Sequence, residues 1–285
     1  LTPALRARAA AILVGAAAAT SALAGAALWW SGARHAVQAA SGLMLADVER
    51  RLGEVEAIRV VLKGQTYTLA RTPGGWVMPE RGNHPVDEEA LGRLALGLAR
   101  LEKLEVRDGG PAALEAVGLG DPRQGGSGAL VTLTGAGGAT IAQVIIGARP
   151  SGSYARLPEA ASGFKVTDDL LPPFQDPVRW LALPVLNLDA AGVTGVSTGD
   201  RLALTRWRPL DVKPAAALAG PVVARQVATL AAGGTATVTV FDEGGRAFAT
   251  LEIESPDPAL AGVGAAARGW AYELAPVDAA GFGGG

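Results

Sequence analysis

The sequence predicts an α+β fold in which a single N-terminal transmembrane helix is followed by two related antiparallel-sheet modules, each packed with a helix. Three observations predict it. Residues 9–30 (AAAILVGAAAATSALAGAALWW) contain no charged side chain. Most of the chain beyond residue 30 alternates apolar and polar residues in short runs broken by glycine, the pattern of half-buried strands. The order hairpin, helix, hairpin, short strand also reads twice along the body, at a spacing of roughly 110–140 residues, as an internal duplication would. The expected division is an anchor at 1–30, a linker at 31–54, a first module at 55–185, a repeat-like second module at 186–278 and a flexible tail at 279–285.

At 1.5 Å per residue the uncharged run extends roughly 33 Å as a helix, enough to cross a hydrocarbon core of about 30 Å. A secretory signal would use Arg6 and Arg8 as its basic region and Ala22-Leu23-Ala24 as a cleavage site. The run outlasts a signal core of about 7–15 residues. It ends on Trp29 and Trp30, whose rings suit the membrane–water boundary. A retained anchor is therefore expected. Arg6 and Arg8 precede the span and Arg34, Arg50 and Arg51 follow it, which favours a cytoplasmic N-terminus and a body on the far side. In a bacterium that side would be the periplasm of an inner membrane, and the Ala, Gly and Arg bias is associated with GC-rich bacterial genomes. Gly15 with Ala19, and Ser21 with Gly25, form small-xxx-small pairs that admit a neighbouring helix; a monomeric, lipid-facing helix fits the same composition.

The body begins with a weakly helical stretch at 46–52. Residues 57–62 (AIRVVL) and 66–71 (TYTLAR) then form a hairpin across Lys63-Gly64-Gln65, and Gly74-Gly75 turns into a short strand at 76–78. The strongest helix comes next. Asp87 caps it, Glu88 and Glu89 suit its positive end, and Leu91, Leu94, Leu98 and Leu101 form one apolar stripe. Residues 114–122 read as a loop. Strands are expected at 128–134, 140–147, 153–157 and 164–167, then a short helix and Pro-rich corner at 168–184 ending in Trp180. In the second module 192–197 and 201–207 read as a hairpin, 221–230 as a helix with Val223, Val227 and Leu230 on one face, 235–241 and 247–254 as a hairpin, and 270–275 as the last strand.

This order of elements resembles the DUF4340 family, bacterial proteins with an N-terminal membrane anchor and no established activity. The resemblance is carried by Tyr67, Leu69 and the Gly74-Gly75-Trp76 turn, the helix over 87–104 and the Gly118-Leu119-Gly120-Asp121-Pro122 loop. The strand pair ending at Ile146-Gly147, the Ser153-Tyr154-Ala155-Arg156 strand and the corner from Phe174 to Trp180 complete it. Family members often read Gly-Leu-Asp-Pro where this chain inserts Gly120. The resemblance covers residues 55–185 best. It implies an accessory role beside gliding-motility or ABC-type export systems, and no residue-level chemistry.

Composition and motifs exclude several functions. Lys and Arg number 25 against 27 Asp and Glu, without the basic surplus that nucleic-acid binding requires. Cysteine is absent, removing disulfides and thiolate metal sites. Gly195-Val196-Ser197-Thr198-Gly199 matches the nucleophile-elbow spacing, but both histidines, His35 and His84, lie upstream of it. Gly262-Val263-Gly264-Ala265-Ala266-Ala267 imitates a dinucleotide fingerprint, yet Pro256 and Pro258 precede it, and it reads as a loop. Asp168-Asp169 and Glu88-Glu89 read as helix-start acids rather than cation ligands. Arg149, Arg156, Lys165 and Arg179 could gather at one edge to meet an anionic partner, though spread charges of this kind usually form a solvated face.

The function expected is that of a non-enzymatic, single-pass accessory or scaffold subunit of a larger membrane complex. Its partners are integral membrane subunits and the lipid bilayer, with no nucleic acid, cofactor, metal or catalytic residue. The alternative is a periplasmic module binding a glycan or exported substrate, marked by a pocket lined by two or more of Trp76, Trp180, Trp207 and Trp270. An enzyme would show two acidic side chains facing each other across a cleft.

Overall fold

Two antiparallel sheets form the body, nine-stranded and six-stranded among the described residues. The computed structural model describes residues 40–167, 173–183, 192–199 and 209–283. The expected anchor with Gly15, Ala19, Ser21, Gly25, Trp29 and Trp30 lies outside these residues, as do Asp168-Asp169, Trp207 and the expected strand at 201–207. Among the described residues no helix is long and apolar enough to cross a membrane.

The first sheet comprises β1 (Ala57–Leu62), β2 (Gln65–Thr72), β3 (Gly75–Met78), β4 (His84–Pro85), β5 (Lys103–Arg107), β6 (Ala129–Thr134), β7 (Thr140–Arg149), β8 (Gly152–Arg156) and β9 (Gly163–Val166), in the order β4-β3-β2-β1-β6-β7-β8-β9-β5. Alternation along each strand gives it two apolar faces. One carries Ile58, Val60, Tyr67, Leu69, Val131, Leu133, Val144 and Ile146, all buried beneath α1 (Val48–Arg51) and α2 (Glu88–Ala99). The Asp87 carboxylate accepts the amides of Glu89 and Ala90, which caps α2, and Leu91, Leu94, Leu98 and Leu101 are buried as the stripe predicts. The opposite face carries Leu130, Ile145 and Tyr154, covered by Leu114 of α3 (Gly110–Ala116) and by Leu119. The stretch expected as a loop from 114 thus begins inside a helix. A Cβ on Gly147 would lie 2.5 Å from the carbonyl oxygens of Val117 and Gly118, so glycine there lets the 117–120 loop sit directly on β7.

The stretch assigned to the linker belongs to this sheet from residue 40 onward. The amide of Ala40 donates to Leu104 O (3.0 Å), that of Lys103 to Gly42 O (3.0 Å) and that of Met44 to Leu101 O (2.7 Å). Residues 40–44 therefore run beside β5 and cover part of its edge, while Met44, Leu45 and Val48 enter the core.

The second sheet runs β10-β12-β13-β14-β15-β11. Its strands are β10 (Val193–Val196), β11 (Asp211–Pro214), β12 (Val222–Leu230), β13 (Thr235–Asp242), β14 (Ala247–Glu254) and β15 (Trp270–Glu273). Helix α4 (Pro258–Ala267) packs on β14, and α5 (Pro276–Gly283) packs on β12 with Phe282 buried.

Several expectations for this half are corrected. Residues 222–230 form a strand, not a helix. Val222, Val223, Val227 and Thr229 are β-branched, and Gln226, Ala228 and Leu230 point inward with period two. The glycine-containing run at 262–267 is helical rather than a loop: Asp257 caps it and Pro258 opens it. Of the tail expected to be flexible over 279–285, residues 279–283 belong to a helix that starts at Pro276. Strand β10 pairs with β12, and the hairpin partner expected for it at 201–207 lies outside the described residues. Among the described residues the two sheets differ in strand number and strand order.

The sheets meet where β4 faces β11 and β15. Arg81 Nε donates to Asp211 Oδ1 (2.6 Å), and the His84 ring stands edge-on to Trp270 (4.6 Å between centroids) and Tyr272 (6.2 Å). Gly82, at φ +69°, lies against Pro214, and a Cβ there would collide with the proline ring.

Candidate functional site

Helix α2 presents two adjoining faces. Leu94 and Ala90 point into the core. Glu88, Leu91, Gly92, Ala95 and Leu98, spaced three and four apart, line the neighbouring face, and two of them are small. Where the helix is thin, an open groove of about 390 Å³ remains between it and the sheet. Ile58 of β1, Trp76 of β3 and Leu133 of β6 form its floor, and Leu52 and Val55, just after α1, close one end. Among the described residues Glu88 is the one charged residue that lines it. Nothing lies within 4 Å of a Cβ built on Gly92, so that position opens directly into the groove. A site of this character can hold apolar surface and offers little to a polar ligand.

A second, more polar recess lies between the 51–56 turn, the end of β2 and the β6–β7 turn. Arg51, Glu54, Glu56 and Arg71 line it. Arg51 is spent on Glu54 (2.9 Å), and Arg71 Nη1 donates to Gly53 O (3.4 Å).

Most residues singled out in the sequence hold the fold together. Arg156 is buried, donating from Nε to Leu119 O (2.7 Å) and from Nη1 to Pro158 O (2.6 Å). Arg149 Nε donates to Ala116 O (3.2 Å), and its Nη2 to Ser127 Oγ (3.2 Å). Both arginines clamp the 116–128 segment, whereas Arg179 pairs with Asp176 (3.5 Å) and Lys165 packs beside Gly152. The four do not form one basic patch. Within that segment the Glu115 carboxyl is held below its usual range by the side chain and amide of Ser127. Asp121 is likewise held low by Arg123 beside it.

The elbow-like serine is a ladder residue: Ser197 Oγ accepts the amide of Val227 (2.9 Å) at the end of β10, with no strand-to-helix turn. The fingerprint-like glycines lie inside α4, where Gly264 packs on Ile253. Glu89 pairs with Arg93 (2.5 Å) on the surface of α2. Of the tryptophans expected to mark a pocket, Trp76 lines the groove. Trp180 is buried, donating from Nε1 to Tyr67 Oη (2.8 Å), and Trp270 sits at the seam. Among the described residues no group of three or more His, Asp or Glu could hold a metal ion. The groove residues Gly92 and Ala95 are not evident as site residues in the sequence, where their signal is a small-residue face beside the leucine stripe.

Residues 76–217 match the model of a family described as a domain of unknown function (DUF4340). No curated protein and no solved structure matches the chain. The matched region takes in Trp76, helix α2 with its groove face, the 118–122 loop clamped by Arg149 and Arg156, and the seam strand β11. The match begins at Trp76, so Tyr67, Leu69 and the β1–β2 hairpin lie outside it, and the chain belongs to the DUF4340 family.

Proposed function

We propose that this chain is a non-enzymatic accessory subunit of a bacterial membrane protein complex. In this reading residues 9–30 cross the inner membrane with the N-terminus in the cytoplasm, and the two-sheet body works in the periplasm. The groove beside α2 supports the reading most directly. It is apolar, open and floored by Trp76, and at Gly92 and Ala95 it lets another backbone approach closely. Its occupant is an apolar segment of an integral membrane subunit. Residues 31–39 separate the expected span from Ala40. Fully extended they reach about 30 Å, which keeps the body near the bilayer where such a subunit projects. The 390 Å³ volume also suits a small apolar ligand, the second reading; a glycan would find Glu88 as its one charged partner there.

The test is a photo-crosslinker at Ala95 in the intact chain within its native membrane, with and without Gly92→Glu. A stoichiometric crosslink to a membrane-spanning protein, lost in Gly92→Glu at unchanged melting temperature, is the expected result. A crosslink to a small molecule establishes the second reading. No product, or one that Gly92→Glu leaves intact, removes the groove from the function. Carbonate extraction of the same membranes checks the anchor independently.

A further inference from the structure

His84 is fully buried at the seam between the two sheets. Its Nδ1 lies 2.9 Å from Pro85 O and donates there, while Nε2 has no hydrogen-bond partner among the described residues. The ring is walled by Trp270 and Tyr272 of β15, on the face that also carries Val212 and Pro214 of β11. It hangs from a turn in which Gly82 (φ +69°) and Asn83 (φ +66°) both adopt left-handed backbone. That turn bears Arg81, whose ion pair with Asp211 joins one sheet to the other.

We propose that this seam is a proton-sensitive hinge with His84 as its trigger. A proton on Nε2 creates a buried N–H donor and a full charge at an atom that has no hydrogen-bond partner among the described residues, whereas the opened seam gives both to water. The charged groups around the ring do not offset this. On the turn, Glu80 accepts the amide of Thr68 (3.0 Å) and Arg81 holds Asp211. On β11, Lys213 pairs with Glu243 (2.8 Å), and on β15, Glu273 pairs with Arg246. Asp176 and Arg179 pair with each other beside the 180–182 segment, and β3 brings no titratable side chain. Tyr272 keeps its phenol proton, burial pushing it above the ordinary range. Burial likewise lowers the imidazole from its ordinary 6.5, so the closed seam selects the neutral ring.

The sign is set by linkage. The opened state takes up a proton near 6.5 and the closed state does so at lower pH. The closed form is therefore fully favoured above about 6.5 and loses ground as pH falls. Between pH 7.5 and 5.5 the ratio of open to closed rises by about tenfold for one such group. This inference is independent of the accessory role.

The test is amide hydrogen exchange on the full chain at pH 7.5 and 5.5, corrected for intrinsic rates and read at Val86, Ala215 and β15. Wild type is expected to lose about tenfold in protection at the lower pH. His84→Phe is expected to lose none, because it keeps a ring against Trp270 and leaves Pro85 O satisfied by the amide of Ala182 (2.9 Å). Equal protection at both pH values in wild type overturns the proposal, as does an equal loss in His84→Phe. If His84→Phe does not fold, the chemical shift of the His84 ring protons in wild type decides. Titration below 6.5 together with the exchange transition supports the hinge, and titration at 6.5 with the seam closed refutes it.

Discussion

Tyr67 shows how much one side chain holds in this fold. Its hydroxyl donates to Phe174 O (2.9 Å) and accepts Trp180 Nε1 (2.8 Å), so a β2 residue fixes a corner far away along the chain. Tyr67→Phe leaves the buried indole N–H and the carbonyl without partners. A loss of about 1–3 kcal/mol is expected in urea unfolding. Arg156 acts similarly on backbone carbonyls. Arg156→Lys keeps the charge but loses the planar fork that reaches Leu119 and Pro158 together, and its melting temperature should fall below wild type. Glu243 sets an acid limit. Lys213 beside it, with the amides of Gly220 and Ala219, draws its carboxyl down to about 2. Its stabilising effect is complete above about 4.5 and is lost as pH falls toward 2, so acid unfolding of Glu243→Gln should lack that part of the transition.

Among elements, α2 is where local chemistry and packing agree best. Asp87→Ala removes a carboxylate that caps two amides and should cost about 1 kcal/mol. Leu94→Ala, at a fully buried position, should cost about 2–5 kcal/mol in the same melts. This helix is legible in the sequence because its cap, its acidic first turn and its stripe all lie between Asp87 and Leu101. The β1–β2 and β13–β14 hairpins are legible for a similar reason, since a glycine-bearing turn and alternation suffice. Strand β12 is not. Gln226 occupies an inward position, which masks the period of two and leaves Val223, Val227 and Leu230 looking helical. In α4 the Asp257-Pro258 start is present, but Gly262 and Gly264 outweigh it until the packing of Gly264 on Ile253 gives the glycine a reason.

At the scale of the molecule, neither the groove nor the seam can be read from one stretch of chain. The groove draws Leu52, Ile58, Trp76, Gly92 and Leu133 from separate elements, and its floor exists only once β1 pairs with both β2 and β6. The seam joins residues 81–84 to 211–214 and 270–272, a proximity that no local pattern encodes. Its half-buried ion pair is a modest contributor. Asp211→Asn should change global unfolding by about 1 kcal/mol or less, while raising exchange at Ala215 measurably at neutral pH.

The run of main-chain bonds from Ala40, Gly42 and Met44 onto the β5 side has a mechanical meaning. Tension arriving through residue 39 is borne first by the Ala40–Leu104 bond, then by Lys103–Gly42, then by Met44–Leu101. Pulled across the strand, these bonds fail one at a time, like a zip fastener. Pulled along the strand, they must yield together. The direction of traction therefore decides whether residues 40–44 act as a weak seal or a firm rivet, and a single-molecule stretching curve would separate the two by rupture force.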